Sequence, residues 1–299
     1  MNVFTLKFLV DEMDSGKLLR EFLKEKQISK TALTEIKFFG GGLFANNVRV
    51  TVRYPLKAGD EIMVQFPREI PSEDVMPEAI PLNIVYEDDY LLVIDKPANM
   101  ASIPSREHRK GTLANALLHY YQSCGYGATI HIVTRLDRDT TGLMLVAKHR
   151  HAHHLFSLQQ KTYAIKRRYE AIVHGMLEMG SGRIEAPIGR KDTSIIEREV
   201  RPDGQQAITN YDVLGGFRDY SHVSLWLETG RTHQIRVHMA HLGHPLAGDT
   251  LYGGEKTHIS RQALHSCELS FYHPVSEVQL TFHSRLPEDM SRLVEKEEC

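Results

Sequence analysis

The stretch that decides the fold is VTRLDRDTTGLMLVA, residues 133–147, in which a polar turn leads directly into an apolar run. The run after Gly142 predicts a buried strand, and the turn before it holds Arg135 and Asp137 where the strand begins. A loop that is fixed by a strand can direct a reactive side chain into a cleft while the scaffold holds it in place. Asp137 is therefore our candidate catalytic group, although an exposed ion pair would explain this stretch taken alone.

A second stretch, residues 227–253, reads LETGRTHQIRVHMAHLGHPLAGDTLYG. Apolar and polar residues alternate just before it, in residues 223–227, which predicts a half-buried strand. Gly230 then breaks the strand, Thr232 is placed to cap a helix, and Gly243 is placed to end it. The apolar side of the predicted helix is formed by Ile235, Met239 and Leu242. The alternative interpretation is a helix start whose basic residues simply face solvent.

Both stretches resemble the RluA-type pseudouridine synthases. The first is similar to their motif His-Arg-Leu-Asp-x-x-Thr-Ser-Gly, with Thr134 in place of the histidine and Thr141 in place of the serine. The second is similar to Thr-Gly-Arg-x-His-Gln-Ile-Arg-x-His, followed by Gly-Asp-x-x-Tyr-Gly. The resemblance implies that Asp137 is the catalytic carboxylate and that Arg236 pairs with it. It also implies that Arg135 fills the space left by a flipped-out base.

A third stretch, KRRYEAIVHG at residues 166–175, resembles the family's basic-x-Tyr-x-Ala-x-Val-x-Gly strand, and its alternation predicts a strand. Taken alone, Tyr169 is a core side chain whose hydroxyl needs one partner. The resemblance implies instead that Tyr169 stacks on the uracil and assists the proton transfer. Residues 84–98 predict a hairpin that ends at Lys96 and Pro97, and we assign this hairpin to the scaffold.

The net charge of −2 gives no nucleic-acid signal for the chain as a whole, but the charge is unevenly distributed. Residues 148–168 contain six lysines or arginines, four histidines and no acidic residue. We interpret them as a cationic surface that holds an RNA backbone beside Asp137 and Tyr169, the alternative being a solvated face. The residues predicted to contact RNA are Arg135, Lys166, Arg167, Arg168, Arg231 and His233.

The N-terminal part predicts a separate domain, residues 1–70, with two short helices, a hairpin turn at Asn46 and Asn47, and a late Gly-Asp before a strand. It resembles the S4 RNA-binding module, a small α/β unit. Residues 71–80 are rich in proline and acid and predict a linker. Residues 81–299 predict an α+β catalytic domain. The resemblance implies the pseudouridine synthase fold, a large mixed, mostly antiparallel sheet with flanking helices.

Composition excludes several other classes of protein. The three cysteines, Cys124, Cys267 and Cys299, are far apart and predict free thiols rather than a disulfide framework or a zinc site. The histidine clusters lack ligand spacing, so we expect no metal. No apolar run approaches the ~18 residues of a membrane span, and the first ten residues lack a signal-peptide pattern. We therefore expect a cytoplasmic protein with no membrane contact, and a monomer.

The resemblance implies an isomerase that converts uridine to pseudouridine within a structured RNA, with no cofactor. Large-subunit ribosomal RNA is the first choice of substrate and transfer RNA the second, by analogy with relatives that carry an S4 module. Two other classes stay open at this stage. A nucleosidase or glycosidase would need a second carboxylate or a bound water beside Asp137. A non-catalytic RNA-binding protein would keep the fold and the S4-like module.

Overall fold

The computed structural model describes residues 4–105, 108–177, 180–217 and 219–295. The helices are α1 (Leu19–Glu25), α2 (Lys30–Phe38), α3 (Leu113–Ser123), α4 (Arg150–Lys161), α5 (Gln234–His241) and α6 (Glu288–Glu295). The strands are β1 (Thr5–Leu9), β2 (Gly42–Ala45), β3 (Val48–Arg49), β4 (Glu61–Gln65), β5 (Ile84–Glu87), β6 (Leu91–Lys96), β7 (His131–Ile132), β8 (Thr141–Ala147), β9 (Lys166–His174), β10 (Ser181–Glu185), β11 (Ile188–Arg190), β12 (Arg198–Val200), β13 (Ile208–Phe217), β14 (Tyr220–Leu227), β15 (Leu264–Tyr272) and β16 (Gln279–His283).

The large sheet runs in the order β10-β13-β14-β9-β15-β8-β6-β5, with β7 beside β8 and β16 beside β15. Its pairings are antiparallel except for the short parallel contact between β8 and β15. A smaller sheet, β1-β4-β2-β3, belongs to the N-terminal part, and β11 pairs with β12. This mixed, mostly antiparallel sheet with helices packed on it confirms the predicted α+β class.

Strand β8 lies inside the large sheet and is buried on both of its faces. Leu143 and Leu145 join an apolar cluster that includes residues of α4, whereas Met144 and Val146 join another that includes residues of α3 and α5. A strand covered on both faces needs apolar side chains at every position, which is why the sequence shows a continuous run there. The buried strand predicted from that run is confirmed.

Gly142 allows β15 to approach the start of β8 closely. Its φ is +109°, and a Cβ at this position would lie 2.3 Å from the carbonyl oxygen of Ser266. Only glycine combines that backbone conformation with so close a backbone neighbour. The start of β8, directly after the turn that contains Asp137, is therefore held against β15.

The N-terminal module, residues 4–66, has its own apolar core between the small sheet and helices α1 and α2. Ser29 caps α2 by accepting a hydrogen bond from the backbone N–H of Ala32. Asn46 and Asn47 have φ angles of 52° and 65°, which confirms the predicted asparagine turn. Two helices and a hairpin thus lie where the sequence predicts them.

The junction between this module and the rest of the chain is packed. The Phe4 ring stacks on His149 with a centroid separation of 3.5 Å, and the Phe66 ring lies 5.5 Å from that of His151. Both histidines are buried. Arg150, which begins α4, forms an ion pair with Glu35 of α2.

The burial of this junction corrects the prediction of a continuous cationic surface over residues 148–168. Lys148 is also buried, and its ammonium donates to Glu87, to the carbonyl of Asp88 and to the hydroxyl of Tyr126. The acidic partners of this segment come from other parts of the chain, Glu87 for Lys148 and Glu35 for Arg150. Its first residues therefore hold two parts of the protein together.

The predicted linker also makes specific contacts. The side-chain amide of Asn115, in the first turn of α3, donates to the carbonyl of Met76 at 2.7 Å. The carboxylate of Glu78 accepts from the backbone N–H of Gly111 at 3.2 Å. This stretch is irregular in conformation, but it is docked on the start of α3.

Of the three predicted thiols, Cys124 is exposed and Cys267 is buried, and Cys299 lies outside the described residues.

The buried junction histidines predict a pH dependence of stability. Burial lowers the pKa of His149 to about 3 and that of His151 to about 4. Below about pH 6.5 these histidines bind protons in the unfolded chain but stay neutral in the folded chain. The free energy of unfolding therefore falls as the pH falls, by up to about 1.4 kcal/mol per pH unit for each histidine. This contribution is complete above pH 6.5 and is lost as the pH falls to about 4 for His151 and to about 3 for His149.

Urea unfolding at pH 7, 6 and 5 measures this dependence. The double variant His149→Phe/His151→Phe should show a flatter profile, because neither position then titrates. His283→Gln removes an exposed histidine and serves as the control. An equally steep profile in the double variant would contradict the assignment.

Candidate active site

Asp137 lies in the turn between β7 and β8, and this turn is closed by Thr134, one of the two residues that depart from the family motif. Thr134 is buried, and its hydroxyl accepts the backbone N–H of Leu145 at 2.8 Å. The backbone N–H of Thr134 donates to the carbonyl of Leu145 at 3.2 Å. The Ser102 hydroxyl donates to the carbonyl of Leu136 at 2.7 Å. Thr134 thus fixes the turn on β8 without the imidazole that the motif usually has there.

Lys96 also holds this turn, although the sequence interpretation assigned its hairpin only to the scaffold. Its ammonium is fully buried and donates to the carbonyls of Pro97, Met100 and Arg138 at 2.8, 2.9 and 3.0 Å. Burial lowers the pKa of Lys96 to about 7, although the negative charges of Asp139 and Asp137 act to raise it. A lysine directly before a proline at the end of an apolar strand is the signal that could have indicated this position.

Arg236 connects two carboxylates. Its Nη1 donates to Asp137 at 3.0 Å, while Nε and Nη2 form a two-pronged contact with Asp249 at 2.7 and 2.8 Å. Burial alone would disfavour the cation, but the hydrogen bonds to Asp249 and the charge of Asp137 outweigh it and raise the pKa of Arg236. The predicted pairing of Asp137 with Arg236 is present in the structure, and Asp249 sets the orientation of the arginine.

Helix α5 places Arg236 at this position, but its start differs from the prediction. Thr232 does not cap the helix, because His233 is the N-cap residue, in the left-handed region at φ 57° and without a side-chain cap. The side chain of Gln234 takes over by accepting the backbone N–H of Arg231 and the hydroxyl of Thr229. The helix therefore begins one residue later than a threonine cap would place it.

His233 lies beside Asp137. Its Nδ1 is 2.8 Å from the Tyr252 hydroxyl, and its Nε2 is 3.8 Å from the Asp137 carboxylate. Burial lowers the pKa of His233 even though Asp137 acts in the opposite direction. The imidazole is therefore neutral near pH 7, which leaves Arg236 as the cation paired with Asp137. Tyr252, which sequence reasoning did not single out, also packs its ring 5.0 Å from the Arg236 guanidinium.

Asp137 faces a cleft of about 600 Å³ that Tyr169 and Arg236 also line. Tyr169 is buried on β9, next to Leu225 and Ser266 of the flanking strands. Four of the residues predicted to contact RNA line the same cleft: Arg135, Arg167, Arg231 and His233. The fold therefore brings the three predicted catalytic residues together with a basic wall.

Lys166 and Arg168, also predicted to contact RNA, lie on the opposite face of β9. Side chains alternate along a strand, so Arg167 and Tyr169 face the cleft and their neighbours face away from it. Arg168 packs 5.5 Å from the Trp226 ring and donates to the Ser224 hydroxyl at 3.4 Å. A run of three basic residues in a strand cannot all reach one site, and these two are not part of the cleft.

Asp137 and Glu228 are the carboxylates on the described wall of the cleft. Glu228 accepts from Asn210 and pairs with Arg183 at the rim. Asp249 is buried and is fully engaged by Arg236. The carboxylate oriented by a buried arginine in this cleft is therefore Asp137.

A family model described as RNA pseudouridylate synthase matches residues 90–241, which include Asp137, Tyr169 and Arg236. The chain belongs to this family. YjbO of Bacillus subtilis, described as an uncharacterized RNA pseudouridine synthase, is 54% identical over 93% of this chain and 99% of its own length. The ribosomal large subunit pseudouridine synthase D of Haemophilus ducreyi is 43% identical over 79% of this chain and 75% of its own length.

A solved structure shows the same fold. Human RNA pseudouridylate synthase domain containing 1 matches with a TM-score of 0.58 and 23% identity, covering 73% of this chain and 95% of that chain. By its family, this synthase is an RNA-modifying isomerase.

No helix in its described residues has the length and apolar character that crossing a bilayer requires. Those residues also contain no cluster of three or more His, Cys, Asp or Glu side chains arranged for a metal ion.

Proposed function

We propose that this synthase converts uridines of large-subunit ribosomal RNA to pseudouridine, with Asp137 as the catalytic carboxylate. The observation that carries the proposal is the contact between Asp137 and the buried Arg236 in a cleft that Tyr169 lines. Relatives named as ribosomal large subunit pseudouridine synthase D support the choice of RNA. Asp137, Tyr169 and Arg236 line one cleft of a single chain, so the site needs no residue of a second copy, and we propose a monomer. We place the enzyme in the cytoplasm with its ribosomal substrate.

The reaction is an internal rearrangement. The bond between N1 of uracil and C1′ of the sugar breaks, the base turns within the cleft, and a bond forms between C5 and C1′. The C5 proton leaves and N1 gains one, so no oxidant or second substrate is consumed. Asp137 supplies the ionised carboxylate, whether it attacks the sugar, attacks the base or removes a sugar proton. Arg236 orients that carboxylate and neutralises the charge around it.

The target nucleotide must leave its helix to reach Asp137, because the carboxylate lies inside a cleft. Arg135 lines the cleft near Asp137, and we expect it to fill the space that the flipped-out base leaves in the RNA helix. Tyr169 offers an aromatic ring to the uracil while the base is detached from the sugar. Arg167 and Arg231 line the same cleft, and we expect them to contact phosphates beside the flipped nucleotide.

A hydrolase acting at the same anomeric carbon is disfavoured by the carboxylates of the site. An inverting or retaining glycosidase uses two carboxyl groups across the scissile bond. Asp249 is buried in its contact with Arg236, and Glu228 is engaged at the rim. A purely RNA-binding role would give no reason for orienting Asp137 with a buried arginine.

Ribosomal RNA labelled with tritium at C5 of uracil tests the proposal. Isomerisation releases tritium and no uracil, hydrolysis releases uracil, and a binding protein releases neither. Large-subunit RNA and transfer RNA are compared as substrates, and pseudouridines are then mapped in RNA from cells without the gene. Tritium release from transfer RNA alone would keep the reaction but overturn the choice of RNA.

We propose in addition that the N-terminal module, residues 4–66, is an S4-like RNA-binding element. Lys30 and Lys37 are exposed on α2, and Arg49 and Arg53 are exposed on and after the adjoining hairpin. The exposed rings of Phe38 and Phe39 follow at the end of α2 and are available for stacking on unpaired bases.

Point variants test this module better than its removal would, since the junction at His149 and His151 is packed. In Lys30→Gln/Lys37→Gln, RNA affinity should fall and the slope of log affinity against log salt should decrease by about one unit per phosphate contact removed. Turnover at saturating RNA should be unchanged, because Asp137 is untouched. Lys57→Gln, an exposed lysine elsewhere in the module, is the control. Identical affinities and slopes would show that the α2 face does not bind this RNA.

A further inference from the structure

Arg261 connects the far C-terminal end of the described chain to the turn that carries Asp137. Its side chain is 7% exposed. Nε and Nη2 form a two-pronged contact with Asp289 at 2.6 and 2.8 Å. Nη1 donates to the carbonyl of Asp139 at 3.1 Å and also to those of Gln262 and Leu264, at 3.1 and 3.4 Å.

The backbone of Asp289 is held independently of this contact, because Asp289 lies in the first turn of α6, although its side chain is 44% exposed. The next residue, Met290, is fully buried in an apolar cluster with Ile172, Ala247, Ile259 and Ala263. Helix α6 is therefore anchored by packing, and it presents the Asp289 carboxylate at a defined place. The guanidinium group is planar and rigid, so a carboxylate that binds Nε and Nη2 also fixes the direction in which Nη1 donates.

Two buried basic side chains donate hydrogen bonds to consecutive carbonyls directly after Asp137. Lys96 takes the carbonyl of Arg138, and Arg261 takes that of Asp139. Gln262 adds a contact of 3.4 Å from its amide to the Thr140 hydroxyl. The backbone of the turn is thus set from two sides by segments far away in sequence, whereas Arg236 sets the carboxylate of Asp137.

We propose that Arg261, oriented by Asp289 of α6, is a positioning residue for Asp137, so that the C-terminal helix takes part in setting the active-site geometry. The inference rests on the proposed function for its effect on rate. Catalysis requires reacting atoms to be held within a few tenths of an ångström, and small displacements from remote changes lower turnover strongly. Weakening the contact with Asp289 loosens the hydrogen bond from Arg261 to the turn, while the bond from Lys96 and the residues of the cleft wall stay in place.

Asp289→Asn tests this with little change of shape, since the amide loses the charge and one of the two acceptors. We expect kcat to fall about ten- to a hundredfold with KM for RNA nearly unchanged. The midpoint of thermal unfolding should fall as well, because the buried Arg261 loses its charged partner. Asp289→Glu restores the charge and should recover part of the rate. The control is Glu288→Gln, which alters the neighbouring exposed residue of α6 that pairs with Arg292, and it should turn over as the wild type does.

Amide hydrogen exchange gives a readout that does not depend on activity. The N–H of Thr140 donates to the carbonyl of Asp137 within the turn. Its exchange should accelerate at least about tenfold in Asp289→Asn, while amides of α6 keep their rates. Unchanged exchange at Thr140, or unchanged kcat in an active enzyme, overturns the proposal. If the wild type makes no pseudouridine, the proposed function fails, and the exchange result still decides whether α6 positions the turn.

Discussion

Asp137→Asn is expected to lower turnover by roughly four orders of magnitude or more, because the amide keeps the shape of the side chain but cannot act as a nucleophile or base. The fold should be preserved. Arg236 remains bound to Asp249 through two hydrogen bonds, and the amide oxygen can still accept from Nη1. Tritium release from labelled RNA measures the rate, and RNA affinity measured in parallel should be close to that of the wild type.

Glu228→Gln is the matched control, because Glu228 is the other carboxylate on the described wall of the cleft. It should retain most of the wild-type turnover. If Asp137→Asn stays within tenfold of the wild type, the catalytic assignment is wrong. If Glu228→Gln abolishes turnover instead, the reaction depends on a pair of carboxylates and the hydrolase alternative returns.

The second large effect is expected for Arg236→Met, which should lose both activity and stability. Asp249 has 1% of its side chain exposed and would remain as a buried charge without its partner. Losing one partner of a buried ion pair costs about 3–5 kcal/mol. Asp137 would at the same time lose the group that orients it, so turnover should fall by about a hundredfold or more.

The double variant Arg236→Met/Asp249→Asn separates the two effects. Removing the buried charge should recover much of the lost stability, measured as the free energy of unfolding in urea, because no uncompensated carboxylate remains. Activity should stay low, because Asp137 still lacks its arginine. Recovery of turnover together with stability would mean that Arg236 acts only through the fold.

The sequence by itself determined the local features that this site needs. The apolar run after Asp137 favours a strand buried on both faces, because the run is short and a polar turn with a glycine precedes it. The left-handed asparagines at Asn46 and Asn47 specify a hairpin, and Gly243 ends α5 with a φ of +86°. The residue matches to one family identified Asp137, Tyr169 and Arg236, and the fold brings all three to one cleft.

Only the tertiary structure decided which charged residues serve which purpose. Lys148, His149 and His151 are cationic or polar in the sequence, yet they are buried because Phe4, Phe66 and Glu87 reach them from elsewhere. Lys166 and Arg168 face away from the cleft because successive side chains of β9 point to opposite faces of the sheet. Arg261 lies 122 positions from Asp139, and Lys96 lies 42 from Arg138. Local periodicity reports which side of an element is apolar, but a contact between distant segments depends on how the whole sheet brings them together.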